Sequence, residues 1–123
     1  MIKVKVLLSG VVALSTVFFA PQVFAHAHLK GATPATDSTV PAPVSALNLN
    51  FSEGVEPAFS GVEVKDANGQ AIKTGKPAVS PTDKKQLTVP LESGLNSGKY
   101  TVDWHVVSVD GHKTKGEYHF QVK

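Results

Sequence analysis

Three histidines in this sequence stand where they could support metal chemistry. His26 and His28 lie one residue apart behind a Val-Phe-Ala triplet, and His112 follows Asp110 with a single glycine between them. If the chain is cleaved before His26, that residue offers an imidazole and a free α-amine to the same ion. The amine has a pKa of about 7.7–8.0, so a metal displaces its proton easily near neutral pH.

The stretch Asp110-Gly111-His112 lies between the two longest strand patterns, which predicts a loop at one end of the fold. An Asp-x-His sequence in a glycine-containing turn can direct a carboxylate and an imidazole at one point. Nitrogen-rich ligands with one oxygen suit tetragonal Cu(II), which also heads the affinity order of the divalent metals. The candidate Cu(II) ligands are therefore His26, Asp110 and His112.

Each candidate also has an ordinary structural explanation. Asp-Gly is a common turn pair, which would make Asp110 structural. A lone surface histidine such as His112 is usually only solvated, and His26 could reach the terminus by an accident of processing. The combination of a terminal histidine with a loop Asp-x-His sequence is what favours a metal site.

The N-terminal 25 residues have the three parts of a secretory signal peptide. Two lysines precede residues 6–20, which are uncharged and mostly apolar, and Val23 and Ala25 then occupy the −3 and −1 positions of a small-residue cleavage site. An apolar run of about 15 residues is shorter than the ~20 that a membrane-spanning helix needs. We therefore expect residues 1–25 to be removed, and the domain of residues 26–123 to be exported without inserting into a membrane.

Charge and cysteine content narrow the classes of function. The chain carries 12 Lys+Arg against 10 Asp+Glu and no cysteine, and two of the lysines leave with the predicted signal peptide. The remaining domain is close to neutral, which argues against a nucleic-acid or anionic-membrane partner bound through bulk charge. An exported domain without cysteine must also fold without the disulfides that its compartment would permit.

Alternation of apolar and polar residues predicts strands along the whole exported domain. Asn68-Gly69 marks a hairpin turn, and no stretch holds a helical apolar period over three turns. About seven short strands predict an all-β fold, a single Greek-key immunoglobulin-like β-sandwich. Its inner faces would bury Leu47, Leu49, Phe51, Val62, Val64, Leu87, Val89, Val102, Trp104, Tyr118 and Phe120.

His105 and His119 fall on the outward faces of the two longest strand patterns. If the hairpin between these strands turned near residue 112, the two histidines would be cross-strand neighbours and could form a second, weak metal site. Two exposed polar residues on paired strands are more often ordinary surface, so both interpretations are kept.

The sequence resembles the CopC family of periplasmic copper-binding proteins, in its short YobA-type branch. The resemblance spans residues 26–123 and rests on "HAHL", "TPATDSTVPAPVSALNLNFSEGVEP", "FSGVEV" and, most specifically, "GKYTVDWHVVSVDGHKTKGEYHFQV". It implies a periplasmic carrier or buffer in copper homeostasis or resistance, which binds one Cu(II) through His26, Asp110 and His112. Glu53 of "FSE" would be an outer ligand or a hydrogen-bond acceptor near the metal.

The sequence departs from the family pattern in its methionines. Many relatives carry a Met-rich loop that binds Cu(I), whereas the one methionine here is Met1. Thioether ligands select Cu(I), so no Cu(I) site of that type is expected. By resemblance, an inner-membrane CopD-type copper protein is a candidate partner.

An alternative function is that of a copper-dependent monooxygenase-like enzyme with a histidine-brace site. A terminal histidine with a second histidine forms the copper site of polysaccharide monooxygenases, which also use a β-sandwich. Those sites keep one coordination position open, whereas Asp110 would occupy it here, which favours binding over catalysis. A third hypothesis, a purely structural or adhesive sandwich, predicts that metal changes nothing.

Overall fold

The computed structural model describes residues 27–123, so the predicted signal peptide and His26 lie outside the described residues. Among residues 27–123, no helix has the length and apolar character needed to cross a bilayer. A 3₁₀ helix at Pro57–Phe59 interrupts the strands, which are β1 (Leu29–Thr33), β2 (Thr39–Val40), β3 (Val44–Phe51), β4 (Gly61–Lys65), β5 (Ala71–Ile72), β6 (Ala78–Ser80), β7 (Asp83–Leu95), β8 (Gly98–Val107) and β9 (Lys113–Val122).

The strands form two sheets, as the predicted β-sandwich requires. The four-stranded sheet has the order β1-β3-β7-β6, and the five-stranded sheet has the order β2-β9-β8-β4-β5. The β2–β9 pair is parallel, and the other neighbours are antiparallel. The described residues contain nine strands instead of about seven, because segments of two or three residues such as β2, β5 and β6 are too short to show alternation.

The core lies between the sheets and follows the predicted alternation. Ten of the eleven predicted inward residues are buried, and Val62 is half-buried against the same core. Trp104 is 8% exposed, and its ring meets that of Phe51 edge to face at 5.2 Å between centroids, so it belongs to the core as its position in the pattern predicts. The core also includes Tyr100, Val106 and Val122, which lie on the same alternating faces of β8 and β9. Five further core residues lie outside the predicted set, which are Ala27, Val44, Val55, Leu91 and Leu95.

The hairpin of β8 and β9 is the longest pairing in the fold and carries the loop with the predicted ligands. It runs without a bulge from Gly98 opposite Val122 to Val107 opposite Lys113. A shorter hairpin links β4 and β5 through the predicted Asn68-Gly69 turn, where Gly69 has a φ of 80°. Glycine adopts this left-handed conformation without the steric cost of a Cβ.

Two tyrosines of the five-stranded sheet differ in whether their hydroxyls have a hydrogen-bond partner. The buried hydroxyl of Tyr118 has no hydrogen-bond partner within residues 27–123, and burial raises the pKa of Tyr118 to about 12. The hydroxyl of Tyr100 donates to the Asn96 carbonyl at 2.9 Å. A buried polar group without a partner costs about 1–3 kcal/mol, whereas a typical hydrogen bond contributes about 0.5–1.5 kcal/mol.

We therefore expect opposite effects from two substitutions that each remove one hydroxyl. Tyr118→Phe should raise the free energy of unfolding by about 1 kcal/mol, and Tyr100→Phe should lower it by about 1 kcal/mol. Urea denaturation of the metal-free protein measures both values. Equal losses of stability in the two variants would contradict this account and indicate that a bound water satisfies the Tyr118 hydroxyl.

Candidate metal centre

The loop Ser108–His112 joins β8 to β9 and is closed at its base by backbone hydrogen bonds. The Ser108 N–H donates to the His112 carbonyl at 2.9 Å, and the Gly111 N–H donates to the Ser108 carbonyl at 2.8 Å. Gly111 has a φ of 93°, a value that favours glycine and lets the chain reverse between Asp110 and His112. The loop therefore lies at one end of the sandwich, as predicted.

Ser108 holds both predicted ligands of this loop from beneath. The residue is 1% exposed, and its hydroxyl donates to Asp110 Oδ1 while accepting the His112 N–H at 3.2 Å. Sequence reasoning missed Ser108, although the pattern contained a signal. Ser108 continues the inward series of β8 beyond Val106, where a polar residue is unusual and must find partners.

Asp110 and His112 are brought together as predicted, with Nδ1 of His112 at 3.1 Å from Oδ1 of Asp110. The Ser108 hydroxyl, and after it the His112 side chain, hold the pKa of Asp110 below its ordinary value, so this exposed group is a carboxylate at neutral pH. A carboxylate only accepts hydrogen bonds, so His112 Nδ1 is the donor. A metal ion bound by both side chains would replace this hydrogen bond, because Nε2 of His112 points away from Asp110 while Nδ1 faces it.

Ala27 connects the N-terminal segment to the same end of the sandwich. It is 1% exposed, and its carbonyl accepts a hydrogen bond from the Thr114 hydroxyl at 2.9 Å. The residue that follows His26 in sequence is thus bonded to a residue two positions after His112. His26 itself is outside the described residues, so its role as a ligand stays a prediction.

His28 is held by the chain that follows β3. Its N–H donates to the Ser52 hydroxyl at 2.9 Å, and its carbonyl accepts the Ser52 N–H at 2.8 Å. Two residues later, the Gly54 carbonyl accepts the Val109 N–H from the ligand loop at 2.9 Å. Glu53 lies between these two attachments, so the backbone places it at the same end of the fold as the ligand loop. Its role as an outer ligand remains a prediction.

The described donors fit part of a tetragonal copper site. Asp110 supplies an anionic oxygen and His112 an imidazole nitrogen. Among residues 27–123, no three side chains of His, Cys, Asp or Glu are grouped closely enough to hold a metal ion by themselves. The third predicted ligand, His26, lies outside the described residues, so its amine and imidazole remain predicted donors.

The structure contradicts the second metal site suggested for His105 and His119. In the β8–β9 register His105 is opposite Lys115, and His119 is opposite Thr101. The two histidines are four residue pairs apart, or about 13 Å along the sheet. That interpretation required a hairpin turning near residue 112, whereas the hairpin is centred on Asp110, so the alternative of ordinary surface histidines holds. His119 Nδ1 instead lies 3.0 Å from the Thr101 hydroxyl.

Comparison with known proteins shows likeness over nearly the whole described chain. The CopC domain model matches residues 29–123. Protein YobA from Escherichia coli strain K12 is 53% identical over 110 residues, which cover 89% of both chains. The crystal structure of CopC from Methylosinus trichosporium OB3b matches with a TM-score of 0.74 at 32% identity, over 80% of this chain and 94% of that one.

A second solved structure extends the comparison. PcoC, a methionine-rich copper resistance protein from Escherichia coli, matches with a TM-score of 0.71 at 36% identity, over 80% of this chain and 100% of that one. These structural likenesses confirm the predicted fold class.

The Ser108 hydroxyl yields a prediction for the metal-free protein. In Ser108→Ala we expect the pKa of Asp110 to rise toward its ordinary value, because the hydrogen bond that most favours the carboxylate is gone. Carbon-detected NMR titration of the Asp110 carboxyl measures this pKa. Ser60→Ala is the matched control, because Ser60 is also a buried serine whose hydroxyl binds the β8 backbone. An unchanged Asp110 pKa in Ser108→Ala, or an equal shift in Ser60→Ala, would contradict the assignment.

Proposed function

Because this chain belongs to the CopC family, we propose that its exported domain is a periplasmic Cu(II)-binding protein that carries or buffers copper. Its similarity to PcoC, a copper resistance protein, supports copper as the cargo. The observation that carries the proposal is the Asp110–His112 pair, which the Ser108 hydroxyl holds in place. The pair lies at the end of the sandwich where Ala27 of the N-terminal segment is bonded to Thr114.

The proposed site combines one ligand set from the loop with one from the terminus. Asp110 and the His112 imidazole supply an oxygen and a nitrogen, and His26 supplies its amine and its imidazole. Three nitrogens and one oxygen suit tetragonal Cu(II), and one site per chain gives one ion per chain. Glu53 is proposed to accept a hydrogen bond near the metal or to act as an outer ligand.

The methionine content supports Cu(II) as the bound form. PcoC is methionine-rich, whereas the one methionine of this chain is Met1, within the predicted signal peptide. Soft thioether ligands favour Cu(I), and the proposed site has only nitrogen and oxygen donors. We therefore propose that the domain holds copper without cycling it through a methionine site.

A binding role is favoured over the monooxygenase alternative by the place of Asp110. Its carboxylate stands beside His112 and would occupy a coordination position that oxygen chemistry needs open. A CopD-type membrane partner remains a prediction from the resemblance.

We expect the mature protein to bind one equivalent of Cu(II) and to lose affinity as the pH falls, because protons compete for the His26, Asp110 and His112 donors. His112→Ala should weaken binding by more than the roughly 10–100-fold that follows loss of an outer hydrogen-bond partner. His28→Ala should have a much smaller effect. Competition titration against a Cu(II) chelator measures these affinities, after intact mass has established that the chain starts at His26.

His105→Ala is the matched control, because His105 is an exposed histidine on β8 outside the proposed site. Its substitution should leave the affinity unchanged. Wild-type affinity in His112→Ala would overturn the proposed site, and so would a chain that begins at a residue other than His26. A parallel Cu(I) titration should show no binding of the thioether type.

A further inference from the structure

The hydrogen bonds that hold residues 27 and 28 also bear on a rival copper site at the chain terminus. A chain beginning X-X-His can bind Cu(II) through its terminal amine, two deprotonated backbone amides and the imidazole of the third residue. The mature sequence His26-Ala27-His28 has this pattern. This terminal site and the proposed site with Asp110 and His112 both require the same amine, so they compete for one ion.

In the folded chain, one of the amides that the terminal site requires is engaged elsewhere. The His28 N–H donates to the Ser52 hydroxyl at 2.9 Å, and the Ser52 N–H binds the His28 carbonyl at 2.8 Å. The terminal site would have to remove the proton from this amide and turn its nitrogen toward the metal. Copper could bind there only after the His28–Ser52 pairing had opened.

Ala27, the neighbour of His28, is bonded to the five-stranded sheet. Ala27 is buried in the core at 1% exposure, and its carbonyl accepts the Thr114 hydroxyl at 2.9 Å. Wrapping residues 26–28 around a square-planar ion would remove Ala27 from that place. Ser52 directly follows β3 of the four-stranded sheet, and Thr114 lies in β9 of the five-stranded sheet. The segment is therefore fixed between both sheets.

We propose that Ser52 and Thr114 are positioning residues that decide which copper site forms. Their hydroxyls hold residues 27 and 28 in the fold, withhold the His28 amide from the terminal site, and leave the amine to the site with Asp110 and His112. Neither hydroxyl is a copper ligand, since each acts through the backbone that it binds. This inference rests on the proposed function, because it concerns the choice between that site and its rival.

The test removes the two hydroxyls while preserving side-chain shape. The variant is Ser52→Ala with Thr114→Val, and the controls are Ser52→Thr and Thr114→Ser, which retain a hydroxyl at each position. Each mature protein receives one equivalent of Cu(II) at neutral pH. Electron paramagnetic resonance and visible absorption then separate a four-nitrogen square-planar species from one with an oxygen ligand.

We expect one oxygen-containing species in the wild type and in both hydroxyl-retaining controls. In the double variant the ratio of the four-nitrogen species to the folded-site species should rise by about thirtyfold, as expected from the loss of two typical hydrogen bonds. Adding His28→Ala to the double variant should abolish the new species, because the third-residue imidazole anchors it.

A double variant that folds normally by circular dichroism and keeps the wild-type spectrum would overturn the proposal. If the double variant does not fold, the single variants Ser52→Ala and Thr114→Val decide. A smaller shift toward four nitrogens in the singles supports the proposal, and wild-type spectra in both overturn it. A wild-type protein that already shows four nitrogens and is insensitive to His112→Ala would refute the proposed site of Asp110 and His112 itself, a result distinct from failure of this inference.

Discussion

The candidate site depends on one constraint, which is the backbone pairing that joins the two sheets at the end of the sandwich. The ligand loop lies at that end. Val55 forms an isolated antiparallel bridge with Ser108, and the Gly54 and Glu56 backbones bond to Val109 and Val107 on either side. The Val55 N–H also donates to the Lys84 carbonyl of β7, so this buried residue is attached to both sheets. The chain after β3 thereby fixes the loop in which the predicted ligands lie.

This attachment brings together segments that are far apart in sequence. The loop after β8 carries Asp110 and His112, the chain after β3 carries Ser52 and Glu53, and Ala27 lies beside the start of β9. The loop supplies two side-chain donors, Asp110 and His112, which is fewer than the four that a tetragonal Cu(II) ion takes in the proposed site. The fold makes the site conceivable because it places the N-terminal segment within reach of a loop formed more than 80 residues later.

The exposure and charge of the Asp110–His112 pair are also more typical of metal ligands than of an ion pair that stabilises the fold. The side chains of Asp110 and His112 are 45% and 48% exposed, so their contact contributes little to the stability of the fold. The buried hydroxyl of Ser108 nevertheless donates a hydrogen bond to Asp110, which lowers the pKa of that carboxyl and favours its ionised form. An ionised carboxylate beside an oriented imidazole at the surface is an arrangement from which a metal ion can be taken up and released.

The sequence predicted those features that follow from local periodicity. Alternation along residues 100–109 and 117–123 identified Trp104, Tyr118 and Phe120 as core residues, because a strand sends every second side chain to the same face. The Asp-x-His loop was also predictable, since it interrupts that alternation. The sequence likewise predicted the sandwich, although strands of two residues carry no period and were missed.

Strand register and buried hydroxyl partners could not be read from the sequence in the same way. The pairing of His105 with Lys115 depends on how the loop closes, and a shift of two residues in the centre of the hairpin moves a cross-strand partner by four. Ser52 and Thr114 look like ordinary strand-end residues until the fold brings the N-terminal segment against them. Their roles arise from tertiary contacts that no local pattern encodes.

The most direct test of the account is to locate the metal in a crystal of the mature protein loaded with one equivalent of Cu(II), by anomalous scattering at the copper edge. The account predicts a single copper ion bound to the side chains of Asp110 and His112 and to the amine and imidazole of His26. A copper ion bound to the backbone nitrogens of Ala27 and His28, away from Asp110 and His112, would contradict it.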